Sequence, residues 1–295
     1  MRVMITGSSG FVGKATAERL RGKHEVLEFD LMNGCDIRDH SRVDHFVKET
    51  GPNRILHLAA IARFSDADAD PVTAHEINTV GTANVAAVAE KYKVPLIYGS
   101  TGSVYMPLKR EVPITEEFPA FGNSVYGCSK YFGELYVNRI KTPWMILRYA
   151  HLYGSAKKLH GLIGGFVDKI QAGHKPVLFG GQQSNDFTYI TDVVKANMAA
   201  LEAPPFAWNQ VYNIGTGVEV TAEKAGKMVC DALRYTGGIE IKEQRGVDPD
   251  RFVYDVSKAE RMLGFVADYS LQSGLHDMFH HGEPMVIDLA KEAFG

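Results

Sequence analysis

The segment Thr6-Gly7-Ser8-Ser9-Gly10-Phe11-Val12-Gly13 follows a short β-rich run, Arg2–Thr6, and opens an amphipathic stretch, Phe11–Leu20. Few local patterns narrow the possible folds as far. Gly7 permits the tight turn, Gly10 lets backbone reach a pyrophosphate, and Gly13 lets the helix pack on the strand; Phe11 and Val12 begin the helix whose positive N-terminus meets the phosphates. Three spaced glycines are weak evidence alone, so the context decides. The second run, Glu25–Phe29, ends in Asp30, seventeen residues after Gly13, where a carboxylate receives the hydroxyls of an adenosine ribose. Neither neighbour of Asp30 is basic, which favours NAD over NADP. A second carboxylate follows in Gly34-Cys35-Asp36-Ile37, placed to accept from an adenine amino group; by itself it reads as a turn or helix-cap aspartate.

The same alternation continues along the chain. Arg54–Leu58 precedes Ala74–Lys91, Leu96–Ser100 precedes Val125–Ile140, and Trp144–Ala150 precedes Gly161–Gln171. Strand-helix alternation of this kind predicts an α/β fold, a Rossmann-type doubly wound parallel sheet with helices on both faces. Within it, Asn78–Glu90 carries small or apolar residues at three-four spacing and predicts one helix lying on the sheet. Beyond Gly154 the rhythm loosens around glycine clusters, and a smaller C-terminal substrate lobe interleaves with late elements of the first unit. The expected division is a dinucleotide-binding domain of residues 1–154 and 186–215 and a substrate lobe of residues 155–185 and 216–295.

Composition narrows the function. Among 295 residues, 32 Lys and Arg face 35 Asp and Glu, a formal charge of −3, with no basic run to hold nucleic acid or an anionic membrane surface. No apolar stretch reaches the roughly 18 residues of a spanning helix. Cys35, Cys128 and Cys230 are scattered and odd in number, which suits a reducing compartment, and the cytoplasm is the expected location. No His, Asp, Glu or Cys cluster has metal-ligand spacing, so no metal is expected. Small-molecule chemistry is the better expectation.

Tyr126-Gly127-Cys128-Ser129-Lys130 places a phenol and an ammonium at i and i+4, one turn apart on one helix face. A free phenol has a pKa of roughly 10, too high for a base at neutral pH. Lowering it by about 3 units takes roughly 4 kcal/mol of differential stabilisation, which Lys130 and an oxidised nicotinamide could supply together. Thr101, at the C-terminal end of the fourth predicted strand, lies in the crevice where doubly wound sheets bind ligands. There it could hold a substrate hydroxyl for Tyr126 to deprotonate.

With these residues in place, the sequence resembles the extended short-chain dehydrogenase/reductase family, the NAD-dependent epimerase/dehydratase group that modifies nucleotide sugars. The likeness runs over nearly the whole chain, through His57-Leu58-Ala59-Ala60, Asn78 with Gly81-Thr82, Ser100-Thr101, Tyr126 with Lys130 and Glu134, Leu147-Arg148-Tyr149, Asp186-Phe187 with Asp192, Tyr212-Asn213-Ile214-Gly215 and Asp255 with Ser257-Lys258. The resemblance implies that Tyr126 is the general acid/base, that Lys130 binds the nicotinamide ribose, and that Thr101 hydrogen-bonds the reacting hydroxyl. It also implies that Leu58, Ala59, Ala60, Asn78 and Tyr149 border the dinucleotide. Relatives that dehydrate carry an Asp-Glu pair after the catalytic Thr; here Gly102 and Ser103 stand there.

The substrate half departs further. His151 replaces a usual Asn, and is either a buried imidazole or a second acid/base. Asn185 replaces an arginine that grips the diphosphate, whereas the other expected arginine matches at Arg245. Arg251, Lys157 and Lys158 are candidates to compensate, or simply solvated surface cations. The leading expectation is an NAD-dependent epimerase of a nucleotide-activated sugar. A dehydrogenase or keto-reductase with net turnover on a sugar, sugar phosphate or other small carbinol is the alternative, and a non-catalytic dinucleotide sensor is the third. The family likeness also implies a homodimer formed by the Tyr126 helix and the helix after Asn78.

Overall fold

Both faces of the central strands are buried: burial is unbroken over Val3–Thr6 and over Leu96–Ser100. The computed structural model describes residues 1–105, 112–122, 124–154, 161–243 and 251–280. Strands β1 (Arg2–Thr6), β2 (Glu25–Phe29), β3 (Arg54–His57), β4 (Leu96–Thr101) and β5 (Trp144–Tyr149) alternate with helices α1 (Phe11–Leu20), α2 (His40–Thr50), α3 (Phe64–Ala69), α4 (Pro71–His75), α5 (Thr82–Tyr92) and α6 (Val125–Val137). The second half continues through β6 (His151–Tyr153), α7 (Gly161–Gln171), β7 (Val177–Phe179), β8 (Ser184–Tyr189), α8 (Ile190–Leu201) and β9 (Gln210–Ile214). It ends with β10 (Glu219–Thr221), α9 (Ala222–Ala232), β11 (Glu240–Lys242), α10 (Ser257–Leu263) and α11 (Leu271–His280).

The main sheet is parallel throughout, in the order β2-β1-β3-β4-β5-β9. Strand β1 is the pivot: Thr6 pairs with Phe29 on one side and with His57 on the other. The chain turns outward to β2, returns through α2 and builds the rest of the sheet in the opposite direction, so a crevice opens at the C-terminal ends of β1 and β3. Only a 3₁₀ turn, Leu31–Asn33, and a short loop separate β2 from α2, too little chain for a further edge strand. The period of two along β1 divides the core. Val3 and Ile5 face Ala17 and Leu20 of α1 and Val193 and Ala196 of α8, whereas Met4 faces Val43 of α2 and Val85 of α5.

Strands β6, β8 and β10 form a second, three-stranded sheet, and β7 pairs with β11. Strand β8 therefore lies outside the main sheet, although α8, which follows it, packs against α1. Buried carboxylates fasten these parts. Asp186 accepts from the backbone N–H groups of Thr216 and Gly217, each at 2.9 Å, and Asp192 accepts from those of Asp268 and Tyr269 at 2.8 and 3.1 Å. Among the described residues no helix is long and apolar enough to cross a membrane.

The helix expected over Asn78–Glu90 is not regular. A π-helical turn, Glu76–Gly81, precedes α5, and it directs Asn78 inward. Asn78 Oδ1 accepts from the Ile61 N–H at 2.8 Å, while Nδ2 donates to the Ile61 carbonyl and to Ser129 Oγ at 2.9 Å each. One buried amide thus ties the loop after β3 to α6, a use consistent with the clustering of π turns at functional sites. Beside it, His57 is wholly buried between the hydroxyls of Thr6 at 2.6 Å and Thr82 at 2.9 Å. Thr82 donates to the Asn78 carbonyl, so His57 Nε2 donates to Thr82 and Nδ1 accepts from Thr6. Burial, with a smaller push from the Lys130 cation, takes this imidazole down to about 3, and it stays neutral.

Candidate active site

The glycine turn is built as its spacing requires. Gly7 has φ of +70°, and a Cβ there would lie 2.7 Å from the Ala59 backbone; a Cβ on Gly13 would lie 2.0 Å from the Gly7 carbonyl oxygen. At Gly10 the only close atom among the described residues is the Gly7 oxygen, 3.2 Å from an added Cβ. Phe11 is exposed at the head of α1, and Val12 packs partly into the core. Ser8 is buried in the turn with its hydroxyl unpartnered among the described residues. Leu58 and Ala59 donate their N–H groups to Thr6 Oγ1 at 3.1 and 3.2 Å, which sets the Leu58-Ala59-Ala60 backbone beside the turn.

Asp30 reaches back to this turn. One carboxylate oxygen accepts from the Ser9 N–H at 3.0 Å and the other from the Met32 N–H at 2.9 Å. No cation pairs with Asp30 among the described residues. Asp36 is held instead by Arg38, with 2.7 Å between Arg38 Nη2 and Asp36 Oδ2, and that hydrogen bond keeps the Asp36 carboxyl below its usual range. Ile37 is buried, its side chain filling the space that a Cβ on Gly81 would take. Tyr149 donates its hydroxyl to Asn197 Oδ1 at 2.6 Å, so its phenol points toward α8 while its ring borders the cleft. A glycine cradle, an unpaired acid at the end of β2 and an orphaned buried hydroxyl fit a dinucleotide whose ribose hydroxyls are free of phosphate.

A cavity of about 1120 Å³ lies beyond the C-terminal ends of β4 and β5, closed on its far side by α7 and β8. Helix α6 begins at this cavity. Ser124 caps it by accepting from the Gly127 N–H at 3.0 Å, and Gly127 has no room for a Cβ, which would lie 2.2 Å from the Ser103 carbonyl. That close approach brings Tyr126 beside Thr101, whose hydroxyl pulls the phenol's pKa down. Phe64 of α3 covers the Tyr126 ring edge-on, with centroids 5.4 Å apart.

One turn on, Lys130 is buried with Nζ 4.0 Å from the centre of the Tyr98 ring. One further turn on, Glu134 accepts from Ser100 Oγ at 2.5 Å and from Arg148 Nη2 at 2.6 Å. Burial pushes the Tyr126 phenol up to about 12 against the pull of Thr101, and takes Lys130 down to about 7 against the pull of Glu134. Both shifts oppose base catalysis by the protein alone. They have one cause, the desolvation of charge, and a cation entering the cleft would act against it at the phenol.

The absence of an acidic pair after Thr101 has a steric counterpart. A Cβ on Gly102 would lie 2.3 Å from the Phe252 ring and 2.6 Å from the Tyr254 hydroxyl, so no carboxylate fits at 102 in this packing. His151 is exposed on the cavity wall, edge-on to Phe187 at 5.7 Å, and Asn185 lines the same cavity. Arg245 lies outside the described residues, as do Lys157 and Lys158. Arg251 is engaged elsewhere, held by the two oxygens of Glu219 at 2.5 and 2.7 Å. Sequence reasoning misses Phe64, Asp68, Gln183 and Lys169, all of which line the cavity. The three-four spacing Leu162, Phe166, Lys169 on α7 is the available signal for the last.

Residues 3–215 match the model of the NAD dependent epimerase/dehydratase family. A putative UDP-glucose 4-epimerase of Methanocaldococcus jannaschii is 29% identical, over 92% of this chain and 95% of its own. A UDP-glucose 4-epimerase of Thermotoga maritima solved with UDP-glucose superposes with a TM-score of 0.86 at 26% identity, over 94% of this chain and 97% of that one. One from Thermus thermophilus solved with NAD gives 0.81 at 26% identity with the same coverage. Fold, cofactor cradle and matched length agree, and the chain belongs to the NAD-dependent epimerase/dehydratase family of enzymes.

Proposed function

We propose that this enzyme epimerises a UDP-activated sugar by transient oxidation to a keto-sugar and return of the hydride to its other face. The observation that supports the reading is Thr101 on the cavity wall beside Tyr126, with Lys130 one turn further along α6 and Gly102 packed too tightly to admit an eliminating acid. Residues 1–154 and 186–215 then serve as the dinucleotide domain, and 155–185 with 216–295 as the substrate lobe.

In this reading Gly7, Gly10 and Gly13 hold the pyrophosphate, and Asp30 takes the adenosine ribose. Bound NAD supplies reversible hydride acceptance and, when oxidised, a positive charge near the phenol. Thr101 orients the sugar hydroxyl and Tyr126 accepts its proton, then gives it back when the hydride returns. Lys130 holds the nicotinamide ribose and adds its charge to that which favours tyrosinate. His151 and Asn185 face the substrate. A panel of UDP-, GDP-, dTDP- and CDP-sugars followed by NMR tests this directly: inversion at one sugar carbon with a UDP substrate is expected, and no change with any of them overturns it. Asn185 in place of a cationic residue favours a second reading, net oxidation or reduction of a smaller carbinol. Steady NADH formation or consumption would establish that reading instead.

We also propose a homodimer working in a reducing compartment, where Cys35, Cys128 and Cys230 stay free. Val72 on α4, Val80 in the π turn, and Phe132 and Tyr136 on α6 are large apolar side chains left exposed, and the His75 ring lies tilted beside Phe132, with centroids 6.1 Å apart. A second copy laid across α4 and α6 would bury them. Phe132→Glu is expected to turn the dimer into a monomer in sedimentation velocity. A wild-type monomer, or an unchanged variant, would contradict the assignment.

A further inference from the structure

We infer that Lys169 on α7 is the cation that grips the substrate diphosphate where Asn185 has replaced an arginine; the inference rests on the nucleotide-sugar reading above. Helix α7 turns Leu162, Phe166 and Lys169 to the cavity at three-four spacing, so Lys169 borders it together with Asn185. Among the described residues lining this cavity, Lys169 is the only lysine or arginine, and none of the ion pairs among the described residues uses it. Two neighbouring alternatives are poorly suited. Asn185 offers neutral donors only, and Arg251 is already neutralised by the two oxygens of Glu219, whose carboxylate also accepts from Ser184. Asp68 of α3 supplies a negative charge to the same cavity. Asp68 lies one helical turn beyond Phe64, the residue that covers Tyr126, so an anion is disfavoured near the reacting carbon and favoured at α7. The polarity orients the substrate, phosphates toward Lys169 and sugar toward Thr101 and Tyr126.

The test uses the holoenzyme with its NAD. Lys169→Met is expected to raise KM for the UDP-sugar by about 10- to 100-fold with kcat within about twofold, because the ammonium would hold ground state and transition state alike through one charge-assisted hydrogen bond. Lys169→Arg should restore KM to within about fivefold. UDP titrated by calorimetry should bind Lys169→Met more weakly by the same factor and with less salt dependence, while uridine, which has no phosphate, should bind both proteins equally. An unchanged KM, or equal weakening of UDP and uridine, overturns the inference. If the wild type turns over no nucleotide sugar, the proposed function falls separately. In that event, UDP binding that depends on Lys169 upholds the inference, and no UDP binding to the wild type overturns it.

Discussion

Tyr126→Phe is expected to lower kcat by about 10³-fold while leaving NAD content and the melting temperature nearly unchanged. The change removes one hydroxyl, and nothing in the packing of α6 depends on it. Ser124 still caps the helix, Gly127 still abuts Ser103, and Phe64 still covers the ring. The loss is confined to proton transfer, because Thr101 can orient a hydroxyl but has no means of ionising near neutral pH. A pH dependence accompanies it. Burial holds the free protein's phenol up to about 12, so the fraction of tyrosinate, and with it the rate of the oxidising half-reaction, rises with pH up to the pKa in the complex. Bound oxidised cofactor should move that pKa downward. Single-turnover NADH formation measured across pH on both proteins checks the pair of expectations. A variant retaining more than a tenth of wild-type kcat would remove Tyr126 from the role.

Arg148→Met is expected to cost about 3–5 kcal/mol of stability. Arg148 and Glu134 form an ion pair at 2.6 Å with side chains 6% and 3% exposed, too buried for water to solvate the survivor. Arg148 also lies over the Tyr105 ring at 4.7 Å and donates to the Glu116 carbonyl at 3.3 Å. Among the described residues, removing the guanidinium leaves Glu134 with Ser100 as its hydrogen-bond donor and Lys130 as the nearby cation. Because Ser100 adjoins Thr101 and Glu134 lies one turn from Lys130, activity should fall along with stability. Adding Glu134→Gln should recover part of the loss, since the stranded charge is then gone. Urea unfolding of both variants, read at the transition midpoint, measures this; a shift under about 1 kcal/mol for the single change would mean that water reaches the pair.

Much of the site is legible in the sequence because its signals are local. The glycine spacing, Asp30 at the end of a strand and the i, i+4 placement of Tyr126 and Lys130 all follow from backbone periodicity, and β1 and β2 have the expected boundaries. What periodicity does not encode is which partner a side chain finds across the fold. Asn78 is expected from the resemblance to border the dinucleotide; that its amide ties the loop at Ile61 to Ser129 of α6 follows from the π turn, which the spacing does not show. Arg251 is a candidate diphosphate ligand by its type, yet it lies thirty-two residues along the chain from the carboxylate that holds it. Gly102 reads as the absence of an acid; only its packing against Phe252 and Tyr254 shows that the position has no room for one.

The sequence by itself determined a parallel α/β sheet, a dinucleotide turn and a phenol-ammonium pair on one helix face, since each needs only neighbours within a turn or a strand. The tertiary structure decided the electrostatics. Burial raised the Tyr126 phenol and lowered the Lys130 ammonium, packing closed position 102, and the fold brought Asp68 of α3 and Lys169 of α7 to one cavity. Desolvation and long-range charge depend on what surrounds a group, and the surroundings exist only once the chain has folded.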